Sequence, residues 1–408
     1  MDNRVAVVGA GYAGMAAAVT LAARGVPVTV FEAGPVAGGR ARRVVSQGTE
    51  LDNGQHVLIG AYTELARLMR LVGVAADAVL RVPLEIRYFS GFSLRGLRLP
   101  YPFGLLGGLL LARGVPFAER VGAVRFVAAM RRKKFRLKED LPVESLLETH
   151  NQAGTIGHYF WRPLCVSALN TPADQASAQA FLTVLRDALL GAPQASDLLL
   201  PRVDLSKLFP EPAVRYVREH GGQVRLSETV RDLDALKKDF RCVIVAVGPH
   251  QLKTLLPRLG AEFTYQPIYT CYLQYEPSTH LPFPMVGLSE GLVQWVFDRG
   301  ALTGEKGRLA CVISAQGDHQ QLSLDEVAAA CHAELARALP GLPAPQWSRV
   351  IAEKRATISC VPGAGKPPLR PEPEIFLAGD YLDEEYPPTL EAAVRSGVRA
   401  ANLCADVM

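Results

Sequence analysis

Val5-Ala6-Val7-Val8-Gly9-Ala10-Gly11-Tyr12-Ala13-Gly14 is the stretch that decides the fold of this chain. Four apolar residues in an unbroken run are the pattern of a strand buried on both faces. The glycines follow at once, and behind them an Ala-rich helical stretch runs from Met15 to Arg24, closed by Gly25. A second strand-like run, Val26 to Phe31, ends in Glu32. Each part of this strand–GxGxxG–helix–strand–acid order has a physical task. Gly9 permits the tight turn, Gly11 lets the backbone approach a pyrophosphate, and Gly14 lets helix and strand pack closely. The helix N-terminus, from Ala13 onward, offers free N–H groups and the positive end of its dipole to phosphates. Glu32 suits a ribose diol, and its charge repels a 2′-phosphate. The reading is an α/β, Rossmann-type domain that binds a dinucleotide.

Further motifs narrow the choice. Beyond Glu32 and Ala33 comes Gly34-Pro35-Val36-Ala37-Gly38-Gly39-Arg40-Ala41, where Gly39 and Arg40 would bring more backbone and a fixed cation to the phosphates. Leu51-Asp52-Asn53-Gly54-Gln55-His56 reads as a strand and turn, and Ile375-Phe376-Leu377-Ala378-Gly379-Asp380 as a strand ending in Gly-Asp. A helical stretch then begins near Thr389 and Leu390. This set resembles flavoproteins of the amine oxidase and carotenoid desaturase superfamily. The resemblance implies FAD, with Gly54, Gln55 and His56 under the isoalloxazine ring and the backbone of Val230 at the adenine. It further implies Gly379 and Asp380 along the ribityl and pyrophosphate, and the helix at Thr389 and Leu390 aimed at the flavin N1/O2 locus. No cysteine or histidine occupies an evident attachment position, so the FAD is expected to be non-covalent.

Gly221 to Val230 and Cys242 to Pro249 read as intermediate strands of the same domain. The FAD domain is therefore expected to be discontinuous, over 1–75, 205–255 and 365–408. The inserted segments, 76–204 and 256–364, are expected to form an α+β substrate domain with a helical subregion in the first insertion. In the second, Thr270 to Tyr275, Leu292 to Asp298 and Leu309 to Ser314 read as strands and Leu324 to Ala338 as a helix.

Composition sets outer limits. With 408 residues the chain can bury a large core, and a net charge of +4 is too small to point to nucleic acid. The seven cysteines are scattered and never spaced as CxxC, which argues against a disulfide framework and a metal site. The N-terminus lacks the pattern of a signal peptide. The apolar run Phe103 to Ala112 falls well short of the roughly 18 residues needed to span a bilayer. A cytoplasmic protein is expected. The run Arg131-Arg132-Lys133-Lys134-Phe135-Arg136-Leu137-Lys138 reads either as a solvated basic face or, with the Gly/Leu-rich stretch before it, as a peripheral foot on the inner face of the membrane.

The segments Asp52-Asn53-Gly54-Gln55-His56-Val57-Leu58-Ile59-Gly60-Ala61-Tyr62, Phe160-Trp161-Arg162-Pro163-Leu164-Cys165 and Ala168-Leu169-Asn170-Thr171 carry a finer resemblance. They are similar to the squalene-associated FAD-dependent desaturases, also called hydroxysqualene dehydroxylases, of bacterial hopanoid biosynthesis. That resemblance implies reductive loss of the allylic hydroxyl of hydroxysqualene, an apolar isoprenoid substrate and a separate electron donor for the flavin. His56 is the candidate general acid, with backbone-satisfied packing as its alternative, and Asp52 is a second catalytic candidate that would otherwise hydrogen-bond backbone near the cofactor. Trp161, Leu164, Leu169 and Asn170 are candidate pocket residues, the apolar three serving plain core if they are not. Tyr386 is a candidate half of an aromatic cage. Competing expectations are a desaturase or isomerase of a carotenoid-like polyene, an amine oxidase, and a prenyl-lipid-binding escort-like protein with the same fold.

Overall fold

The computed structural model describes residues 4–99, 103–190, 194–260, 262–383 and 385–408. Its first layer is a parallel five-stranded sheet in the order Gln223–Arg225, Val28–Phe31, Val5–Val8, Cys242–Val245, Ile375–Leu377. The strand read from the opening motif is thus central, paired with Val28–Phe31 on one side and Cys242–Val245 on the other. All four of its residues are buried, as an uninterrupted apolar run in a sheet covered on both faces requires.

Two helices cross on one face of this sheet. Tyr12–Ala23 is nearly all buried, and Leu390–Asp406 packs against it at very short range. A Cβ at Gly397 would stand 2.1 Å from the Ala13 carbonyl oxygen, so only glycine permits the crossing. Helix Pro210–Glu219, which the sequence reading left unassigned, joins the same core.

The second layer is an antiparallel sheet in the order Met285–Gly287, Trp295–Asp298, Arg308–Ser314, Tyr265–Gln274, Trp347–Ile358. The period of two in these strands sorts their side chains cleanly. Tyr272, Trp295, Phe297, Ala310 and Val312 face a helical region that contains Phe126, Trp161 and Phe181. Cys271, Leu273, Val296, Cys311 and Ile313 face the helix Leu324–Ala338. Strand Trp347–Ile358 was not read from the sequence, because its charged residues break the apolar pattern that marked its neighbours.

The first insertion is not helical throughout. Before helices Phe103–Leu110, Phe117–Arg132 and Ala178–Leu190 it forms short strands at Val79–Val82, Glu85–Arg87 and Ser93–Arg95. No helix among the described residues is long and apolar enough to cross a membrane.

Candidate active site

One cavity of about 980 Å³ runs from the parallel sheet to the antiparallel one. This is at the top of the range of roughly 300–1,000 Å³ for drug-sized ligand sites. At one end it is lined by Gly9, Gly11, Ala13, Glu32, Ala33, Gly39, Arg40 and Val230, and further along by Gln55, His56, Gly379, Asp380, Thr389 and Leu390. At the other end it is lined by Leu84, Ile86, Leu105, Phe160, Leu164, Val184, Leu185, Trp295 and Phe297.

The nucleotide end follows from the chain. Gly9 has φ +105, and a Cβ there would meet the Ala246 carbonyl oxygen at 2.5 Å. Gly11 caps the helix Tyr12–Ala23 without a side chain, and no acid sits in the first turn, which leaves this N-terminus suited to a phosphate. The Glu32 carboxylate accepts from the Ala10 N–H (2.8 Å) and the Gly34 N–H (2.7 Å), which fixes it at the strand end. Arg40 donates to Asp380 at 2.7 Å and to the Ala356 carbonyl at 2.6 Å, tying the second glycine motif to the C-terminal one. At the far end Thr389 caps the helix Leu390–Asp406, its hydroxyl accepting from the Ala392 N–H.

Two expected cofactor residues stand behind this wall. Gly14 does not line the cavity; its Cβ would lie 1.9 Å from the Gly9 carbonyl oxygen, so its task is helix–strand contact. Gly54 also lies off the lining, and its carbonyl accepts from the His56 Nδ1–H at 3.2 Å. That bond assigns the proton of neutral His56 to Nδ1 and leaves Nε2 as an acceptor. Burial holds the His56 pKa below the usual histidine value, and the Arg40 charge adds to the shift against the Gly54 bond.

Asp52 is corrected from a catalytic to a structural residue. It is off the cavity lining and buried, where it accepts from the Leu205 N–H at 2.8 Å and pairs with buried Arg299 at 3.3 Å. Burial raises its pKa to about 6, with Arg299 and the Leu205 bond pulling the other way.

The pocket residues divide by helical phase. A π-turn at Gly157–Trp161 leads into the helix Arg162–Leu169. Phe160, Leu164, Ser167 and Ala168 fall on the cavity face, while Trp161, Cys165 and Leu169 fall on the core face. Trp161 and Leu169 are therefore corrected to core, Trp161 donating its indole N–H to Gln152 at 3.0 Å. Leu164, Asn170 and Tyr386 do line the cavity. Asn170, in a left-handed conformation at φ 45, accepts from the Ala315 N–H (2.8 Å) and donates to the Thr357 hydroxyl (3.0 Å). Its amide is used as a clamp between the helical region and the sheet. Tyr386 carries the Arg395 guanidinium 4.4 Å from its ring centroid, and Tyr62, unforeseen from the sequence, lines the same wall. Trp295, Phe297 and Val312 were also missed as lining residues, although their shared parity along neighbouring strands was a usable signal.

A flavin dinucleotide suits this set of residues: glycine backbone and a helix N-terminus for phosphates, an acid for a ribose, and a second helix N-terminus further along. The profile of the flavin-containing amine oxidoreductase family matches residues 12–405. The chain belongs to that family. It is an FAD-dependent oxidoreductase. Hydroxysqualene dehydroxylases of Sinorhizobium fredii and Rhodopseudomonas palustris are each 29% identical to it, over 99% of this chain and 98% of theirs. A probable zeta-carotene desaturase of Synechococcus elongatus is 22% identical over 98% of both chains. Among solved structures, a triple mutant of putrescine oxidase superposes with a TM-score of 0.74 at 19% identity, covering 100% of this chain and 99% of its own. That last likeness bears on the fold alone.

Proposed function

We propose that this flavoenzyme removes the hydroxyl group of hydroxysqualene reductively, giving squalene. The observation that carries the reading is the continuity of the cavity, in which an end lined by the glycine motifs and Glu32 leads into an end walled by aliphatic and aromatic side chains. The named relatives support the same substrate class.

The balance is simple: the alcohol takes up one hydride and one proton, and water leaves. Reduced FAD, when bound, supplies the hydride. The chain has three tasks of its own. Phe160, Leu164, Trp295 and Phe297 hold the isoprenoid and keep bulk water from an allylic cation. His56 is the proposed proton donor to the departing hydroxyl. With Nδ1–H committed to Gly54, it donates only from Nε2 as an imidazolium, a state that burial makes more acidic than an ordinary histidine's. Asn170 and the Arg40–Asp380 pair hold the two walls in register. The FAD is proposed to be held non-covalently: among the described residues no cysteine lines the cavity, and the lining His56 directs its Nδ1–H to the Gly54 carbonyl. The site residues and the division into an FAD domain and a substrate domain belong to the same proposal. So does a peripheral place at a membrane, where such a substrate would reside, with a separate electron donor.

The deciding experiment is anaerobic. The flavin is reduced, hydroxysqualene is added in detergent, and products are read by mass spectrometry while flavin reoxidation is followed. Squalene formed together with reoxidation establishes the reaction. No product with the flavin still reduced refutes it. Flavin reduction of the oxidised enzyme by a polyene would then favour desaturation, the second reading that the zeta-carotene desaturase likeness supports.

A further inference from the structure

The helix Phe103–Leu110 is apolar along its whole length, yet it lies between the cavity and solvent. Its glycines press one face onto backbone. A Cβ at Gly104 would come 2.7 Å from the Leu97 carbonyl oxygen, and one at Gly108 2.6 Å from that of Arg95. Leu105 lines the cavity. In the other direction Phe103 is 61% exposed and Leu111 64%, and Phe117, which opens the next helix, is 69% exposed. A helix on the surface of a soluble protein ordinarily buries its one apolar stripe. This one offers apolar side chains inward and outward, which marks an interaction surface.

The charge around it selects the partner. From Ile86 to Ala118 the chain carries Arg87, Arg95, Arg98 and Arg113 and no acidic residue, and Glu85 just before this stretch pairs with Arg87 and Arg95. The next acid, Glu119, has its carboxylate turned inward onto the Ile156 N–H at 2.9 Å. Arg98 and Arg113 are exposed and form no ion pair among the described residues. Apolar side chains flanked by the exposed, unopposed Arg98 and Arg113 fit the headgroup layer of an anionic bilayer. We propose that Phe103, Leu111 and Phe117 seat the protein in such a bilayer, and that the substrate passes from lipid into the cavity beside Leu105. The second clause rests on the reading of the substrate as a long isoprenoid. The cations involved differ from the run Arg131 to Lys134, because Arg131 stands about 21 Å along its helix from Phe117.

The test uses the full-length, flavin-loaded protein and vesicles of phosphatidylglycerol or phosphatidylcholine. Co-sedimentation is expected with the anionic vesicles. Both Leu111→Ser/Phe117→Ser and Arg98→Glu/Arg113→Glu should weaken it by about tenfold or more at unchanged flavin content and thermal stability. Equal binding to neutral vesicles overturns the electrostatic argument. No vesicle binding, with a dimer that the serine variant abolishes, overturns the membrane in favour of a second copy. For the entry route, the serine variant should lose rate on vesicle-borne hydroxysqualene and keep it on detergent-dispersed hydroxysqualene; equal loss in both overturns the route. Wild type that binds vesicles but converts no hydroxysqualene refutes the substrate reading and leaves the surface established.

Discussion

Replacing Gly11 by alanine should separate cofactor binding from folding. Gly11 has φ −70 and ψ −178, a conformation open to any L-residue, and the nearest heavy atom to an added Cβ is the Gly39 Cα at an ordinary 3.8 Å. The apo-protein should therefore be as stable as wild type, or more stable by about 0.4–1 kcal/mol through loss of unfolded-state freedom. The added methyl nevertheless occupies the lip of the cavity, between the helix N-terminus and the second glycine motif. Phosphate oxygens must come within about 2.7–3.2 Å of backbone N–H groups to be held there. Losing one such charge-assisted bond costs about 1.5–3 kcal/mol, which corresponds to roughly 10- to 150-fold weaker FAD binding. The assay is titration of apo-protein with FAD by fluorescence quenching, beside thermal unfolding without FAD. Unchanged affinity would show that the pyrophosphate does not cross Gly11, and a destabilised apo-protein would refute the steric reasoning. Gly14→Ala is the contrast. Its Cβ at 1.9 Å from the Gly9 carbonyl oxygen forces backbone to move, so the apo-protein itself should lose on the order of 1–3 kcal/mol or more.

Further outcomes are expected at three places: His56, Asp52, and Trp161 with Leu164. His56→Ala should retain flavin yet lose most turnover; because the wild-type imidazolium persists only below a lowered pKa, turnover should fall as pH rises toward neutrality, and a pH–rate profile identical in wild type and variant would remove His56 from the reaction. Asp52→Ala should cost about 3–5 kcal/mol in urea unfolding by leaving buried Arg299 short of a partner, somewhat less where Glu305 at 2.8 Å compensates. Since its folded pKa of about 6 exceeds the unfolded value, Asp52 favours the native state most below pH 4 and that contribution is lost as pH rises through 6; Asp52→Asn should flatten this slope, and an unaltered stability–pH curve would contradict the assignment. Leu164→Trp should obstruct the apolar end and abolish turnover with little change in stability, whereas Trp161→Ala should cost about 3–5 kcal/mol, and equal effects on stability would contradict the helical phase described above.

Much of the nucleotide site was legible in the sequence because its elements are local. The run Val5–Val8, the glycines, Glu32 and the Gly379-Asp380 pair act through backbone and strand-end geometry that their own neighbours dictate. The substrate end was read less well. Trp161 and Leu169 share a short segment with Leu164, and only the turn at Gly157–Trp161, which shifts the helical phase, decides which of them reach the cavity. Asp52 stands four residues before His56 and was the second candidate for chemistry. Arg299, 247 residues away along the chain, closes on it and makes it part of the packing. The sequence by itself determined the dinucleotide fold, since that rests on short-range backbone rules, and its resemblance to a flavoprotein superfamily supplied FAD. Tertiary structure alone decided which side chains face the substrate and which outer face of Phe103–Leu110 lies bare, since both depend on contacts between segments far apart in the chain.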